Sequence, residues 1–143
     1  MAHKMGVDIW EIINAASTKP FGFMPFYPSA GVGGHCIPKD PLYLYWKARH
    51  FGFAPKFIRL ASKITSAMPG YIVSRLEEIL AARNKSLSDS RILIIGVTYK
   101  KDIRDLRKAP ALDVIDILQK RNVKVSYYDP IICLLYTSPS PRD

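Results

Sequence analysis

The stretch Gly31-Val32-Gly33-Gly34-His35-Cys36-Ile37-Pro38-Lys39-Asp40-Pro41 carries the residue types best suited to covalent chemistry. Gly31, Gly33 and Gly34 open backbone conformations closed to other residues and let the chain approach a ligand closely. Cys36 follows them. Asp40 and Pro41 have the types favoured at a helix N-cap and first helical position. They predict a helix from about Pro41 to Arg49, ending near Gly52. A sulfur just ahead of a helix N-terminus meets unpaired amides and the positive end of the helix dipole, a setting that favours the thiolate. The chemistry on offer is attack by that thiolate on an electrophilic carbon held against a glycine-lined surface. Two plainer roles stand beside it: Cys36 as an inert buried thiol, and Asp40 as a cap alone. His35 suggests a Cys-His nucleophile-base pair, although adjacent side chains generally point apart.

A second stretch could grip an anion. Tyr99-Lys100-Lys101-Asp102-Ile103-Arg104-Asp105-Leu106-Arg107-Lys108 sets five cations against two carboxylates. It leaves the carboxyl end of the apolar run Ile92-Leu93-Ile94-Ile95, where ligands of open α/β sheets bind. Lysine neutralises a phosphate as a point charge, and arginine grips two oxygens at once. Gly96 stands alone, so the three-glycine dinucleotide fingerprint is absent here. The loop therefore suits clamping a diphosphate better than holding a dinucleotide by its own fold. A solvated basic loop with no ligand is the plain alternative.

The elements that must position these loops follow from patterning. Val7, Ile9, Trp10, Ile13 and Ala16 predict a short amphipathic helix with Asp8 near its start. Phe21 to Pro28 mixes aromatics with Gly and Pro, and is expected to pack as a wall beside the cysteine loop. Phe57, Leu60, Ala61 and Ile64 repeat at helical spacing and are read as core. Pro69 should restart or kink that helix, and Ile72, Val73, Leu76, Ile79 and Leu80 continue the stripe. Asn84 to Ser90 is a polar connection. The run from Ile92, a helix opened by Pro110, and Val123 to Tyr128 compose one βαβ unit, with a strand expected to be buried on both faces.

The 143 residues carry a net charge of +9, which points to anionic partners. The apolar share of 48% supports a folded core. Two cysteines give no disulfide framework, and a reducing cytosol fits them. No apolar run approaches the ~20 residues of a membrane helix, and no signal-peptide core precedes the first helix. No cluster reads as a metal site. Residues 133–143 resemble a translated sequencing-library adapter and are set aside, on which reading the chain stops short of its natural end.

Tyr27 to Pro41, followed at distance by Ile94 to Asp102 and by Asp105-Leu106-Arg107, resembles the UDP-glucose/GDP-mannose dehydrogenase family. Thr18 to Pro28 is similar to the branch that acts on UDP-N-acetylhexosamines. The resemblance covers Met1 to Ile132 and implies an α/β chain in three parts. Residues 1–85 would be a helical remnant of the central, dimerising domain. Residues 86–132 would open a doubly wound, Rossmann-like parallel-sheet domain that binds UDP. Residues 133–143 would be a tail outside the fold.

The implied activity is NAD-dependent oxidation of a sugar C6 alcohol to the carboxylate, by a cytoplasmic homodimer in polysaccharide biosynthesis. Cys36 would form a thiohemiacetal and then a thioester, and Asp40 would stand by the hydrolytic water. Tyr27, Gly31, Gly33 and Gly34 would line the nucleotide-sugar, with Tyr99 and Lys100 holding it from the second domain. Arg107 and Lys39 would face NAD. The family's NAD-binding domain is not among these residues, so the chain alone is expected to be inactive. Two rivals remain: a nucleotide- or nucleic-acid-binding module without catalysis, resting on the positive charge, and a cysteine hydrolase using His35.

Overall fold

The structure, a computed structural model, describes residues 1–132. The proposed tail at 133–143 lies outside the described residues. Two short helices come first, α1 (Ala2–Met5) and α2 (Ile9–Ser17). Asp8 caps α2 by accepting the Trp10 amide at 2.8 Å. The glycine loop leads into α3 (Cys36–His50), and a 26-residue helix, α4 (Lys56–Ala81), follows. Then come β1 (Arg91–Ile95), α5 (Pro110–Lys120) and β2 (Lys124–Tyr128).

β1 and β2 pair in parallel, with Ile92 opposite Val125 and Ile94 opposite Tyr127. The expected βαβ unit is therefore present, and the chain is α/β. Its core is Val73, Leu87, Val114, Leu118 and Val123, with Ile72, Leu76, Leu80, Ile92, Ile94 and Val125 packed around them. The C-terminal half of α4 thus shares a core with the α/β unit. Glu77 of α4 and Arg121, just past α5, reinforce that packing with an ion pair of 2.8 Å.

Several expectations fail, each for a physical reason. The helix after the glycine loop starts at Cys36, not Pro41, with His35 at its N-cap and Asp40 inside it. Tertiary docking of Gly34 turns the chain into the helix ahead of the local capping signal. Pro38 sits in the first turn, where amides have no helical partner anyway. Pro69 does not restart α4, which passes through it. The stripe at Phe57, Leu60 and Ile64 is exposed, Phe57 at 87%, and Phe57 borders an open cavity instead of a packed core. The aromatic wall does not form either. Phe21, Met24 and Phe26 lie exposed, because the irregular, proline-broken segment buries none of their side chains. β1 is buried on one face only, with Leu93 and Ile95 open on the other.

Asp129 closes the carboxyl ends of the two strands. Its Oδ2 accepts the Val97 amide at 2.8 Å, and Oδ1 accepts the amides of Ile131 and Ile132 at 2.8 and 3.0 Å. The residue is only 8% exposed. These amides, Val97 first, hold its carboxyl below the usual carboxylate range.

Two measurements check this picture. Leu118 is fully buried, so Leu118→Ala should destabilise by about 2–5 kcal/mol in urea unfolding, whereas Phe57→Ala should cost under ~1 kcal/mol because its ring is in water. Asp129 titrates lower folded than unfolded, so its contribution is complete above the ordinary aspartate value near ~4 and is lost as pH falls through the folded value. Stability should fall on acidification through that window, and Asp129→Asn should flatten the slope.

Candidate active site

Cys36 is the first residue of α3 and is exposed. Its approach is set by the glycines. A Cβ on Gly33 would lie 2.5 Å from Tyr99 Cβ and 2.9 Å from the Lys108 carbonyl oxygen. At Gly34, where φ is +82°, it would lie 2.9 Å from the Tyr99 ring. At Gly31, with φ +142°, it would lie 3.3 Å from Pro110 and from the Thr65 carbonyl. The absent side chains thus make room for the basic loop and α4. The Gly34 amide completes the junction by donating to the Arg107 carbonyl at 2.9 Å.

On the other side of the junction, Asp105 organises Arg107. Asp105 Oδ1 accepts the Arg107 amide at 2.8 Å. The guanidinium donates from Nε at 3.1 Å to Oδ1 and 2.9 Å to Oδ2, and from Nη2 at 2.6 Å to Oδ2. Among the described residues, Nη1 has no protein partner. Arg107 holds the Asp105 carboxyl below its ordinary value through these bonds, the side-chain ones first. Asp105 in turn raises Arg107 above its ordinary value, chiefly through the side-chain hydrogen bonds.

The other expected site residues are more scattered. Tyr27 stacks on Trp10 of α2 with ring centres 5.6 Å apart. Lys100 is exposed, and its ammonium makes no ion pair among the described residues; its carbonyl accepts Thr98 Oγ1 at 3.1 Å. Asp40 is exposed on α3, four residues past the thiol. Lys39 borders a cavity of about 700 Å³ between α3 and α4, along with Ile37, Phe57, Thr65, Lys108 and Asp113. Cys36, Tyr99 and Lys100 lie outside its lining. Among the described residues, no group of three or more His, Cys, Asp or Glu could hold a metal ion, and no helix is long and apolar enough to cross a membrane.

Sequence reasoning placed Cys36 and Arg107 in separate motifs and missed the carboxylate that ties down Arg107. The Asp-x-Arg spacing was a usable signal, since an aspartate side chain readily accepts the amide two residues on.

Two models of one family match the chain: the central domain of the UDP-glucose/GDP-mannose dehydrogenase family over residues 1–66, and the family's UDP-binding domain over residues 93–135. The chain belongs to this family. It is similar to a UDP-N-acetyl-D-glucosamine 6-dehydrogenase of Pseudomonas aeruginosa, at 37% identity over 90% of this chain and 30% of that protein. The structure of a UDP-D-ManNAc dehydrogenase from Pyrococcus horikoshii matches with a TM-score of 0.80 and 37% identity, over 91% of this chain and 30% of that one. An NDP-N-acetyl-D-galactosaminuronic acid dehydrogenase from Methanosarcina mazei shares the fold, with a TM-score of 0.81 at 23% identity. The chain thus spans about 30% of the length of the curated relatives it matches.

The junction makes a sharp contrast between two glycines. Gly33→Ala should cost about 1–3 kcal/mol, because the methyl meets a Cβ and a backbone oxygen that cannot swing away. Gly70, inside α4, faces open space. Gly70→Ala should stabilise by roughly 0.5–1 kcal/mol through helix propensity. Urea unfolding of the two variants reads both signs.

Proposed function

We propose that this chain carries the nucleophile and part of the nucleotide-sugar site of an NAD-dependent UDP-N-acetylhexosamine 6-dehydrogenase. The observation that carries the reading is an exposed thiol at the start of α3, docked through Gly34 onto a loop that ends in a partly free arginine. Residues 1–85 act as the helical, dimer-forming part and residues 86–132 as the start of the UDP-binding unit, in a cytoplasmic homodimer. Both the names of the similar enzymes and the two family domains support this reading.

In this mechanism the Cys36 thiolate adds to the C6 aldehyde and forms a thiohemiacetal. Loss of hydride gives a thioester, and water cleaves it to the carboxylate and regenerates the thiol. Asp40, one turn along the helix, holds that water. Lys100 neutralises the diphosphate, and Tyr99 with the backbone at Tyr27, Gly31, Gly33 and Gly34 lines the sugar nucleotide. When bound, NAD supplies the hydride acceptor for both oxidations. The unpartnered Nη1 of Arg107 and the ammonium of Lys39 suit its diphosphate.

Labelling tests the reading. In a Cys133→Ser chain, UDP-N-acetylglucosamine should protect Cys36 from iodoacetamide by at least about threefold. Protection by random RNA but not by the nucleotide-sugar would favour the binding-module alternative and overturn the dehydrogenase. A steady-state assay of the 143-residue chain with NAD should give no NADH above background; turnover would refute the claim that it is incomplete for catalysis.

A further inference from the structure

Resting on the reading of Cys36 as nucleophile, we propose that Asp105 is a positioning residue. It holds Arg107 so that the free Nη1 edge meets anionic reactants arriving at the thiol. Two features of the geometry support this role. The Arg107 side chain is 69% exposed and Asp105 only 14%, so the carboxylate is the fixed partner and the guanidinium the one restrained. A free arginine on the surface samples many rotamers. Two-point contact through Nε and Nη2 removes that freedom and leaves Nη1 as the outward donor.

The backbone of the same residue is pinned separately. The Gly34 amide holds the Arg107 carbonyl, only two residues before Cys36. Tyr99, packed on Gly34, closes the flank and is itself tied to Asp105, whose carbonyl accepts its amide at 3.2 Å. Lys108, next along, takes a left-handed conformation with φ +50°, which costs a non-glycine residue energy and marks a loop shape imposed by its contacts. Among the described residues, Arg107 and Tyr99 of the basic loop dock on Gly34, two residues before the thiol, and the titratable His35, Lys39 and Asp40 lie beside it along its own segment. Asp105 makes the pair with Arg107 nearly neutral overall. Its contribution is therefore direction rather than net attraction.

The experiment compares alkylation of Cys36 by anionic iodoacetate and neutral iodoacetamide at pH 7 and low salt, in the Cys133→Ser chain. The ratio of the two rates reports the field met by an incoming anion, while changes in exposure move both rates together. Arg107→Gln should lower the ratio about threefold, the size expected of an exposed charge. Asp105→Asn deletes a negative charge, so simple electrostatics would raise the ratio; the positioning role requires it to fall. In an Arg107→Gln background, Asp105→Asn should no longer lower it. Arg107→Lys, which keeps the charge but loses two-point contact, should fall between. A ratio that rises or holds with Asp105→Asn overturns the proposal and leaves the nucleophile standing. So does an equal fall in the Arg107→Gln background. Failure of Cys36 to react with either reagent removes the nucleophile, and this proposal with it.

Discussion

The structure depends on one close approach: the backbone at Gly33 and Gly34 lies directly against Tyr99 and the Arg107–Lys108 carbonyls. No side chain fits between them. That contact joins the first half of the chain to the second at the level of the thiol, and it converts two motifs far apart in sequence into one surface. It also explains why α3 begins at Cys36. The amide of Gly34 is spent on Arg107, and the chain enters the helix from a turn fixed by tertiary contact instead of by a capping side chain.

Packing elsewhere is uneven. The C-terminal half of α4, α5 and the two strands share an apolar centre, whereas α3 buries no residue completely. α4 spans both regimes: its first turns leave Phe57 and Leu60 in water, and its later turns bury Val73. A single continuous helix therefore links the weakly packed segment that presents the sulfur to the well-packed unit that presents the arginine. The cavity beside Lys39 is lined by residues of both α3 and α4, with Lys108, Pro110 and Asp113 from the second half of the chain.

Much of this was legible in the sequence, and the gaps have physical causes. The βαβ unit could be read because a continuous apolar run, a proline-led helix and a second apolar run are local signals. The short helix with Asp8 near its start was equally local. The start of α3 was misread because Asp40-Pro41 is a good local cap that a long-range hydrogen bond outranks. The exposed stripe at Phe57, Leu60 and Ile64 was misread as core because periodicity reports which face is apolar, not what covers it. The glycines were read as room for a ligand; the side on which a Cβ would stand is filled by the protein itself. Cys36 and the basic loop stood out as two separate motifs, and the docking of their backbones is a property of the folded chain alone.

The placement of Cys36 and Asp40 on one helix carries a mechanical consequence. Four residues of α-helix separate them by about 6 Å along the axis. A shift of the glycine loop then carries sulfur and carboxylate together as a single rigid body. Movement at the junction can re-aim the pair, but the helix keeps the spacing of their backbones, so the separation of Cys36 and Asp40 along the axis is insulated from whatever the loop does.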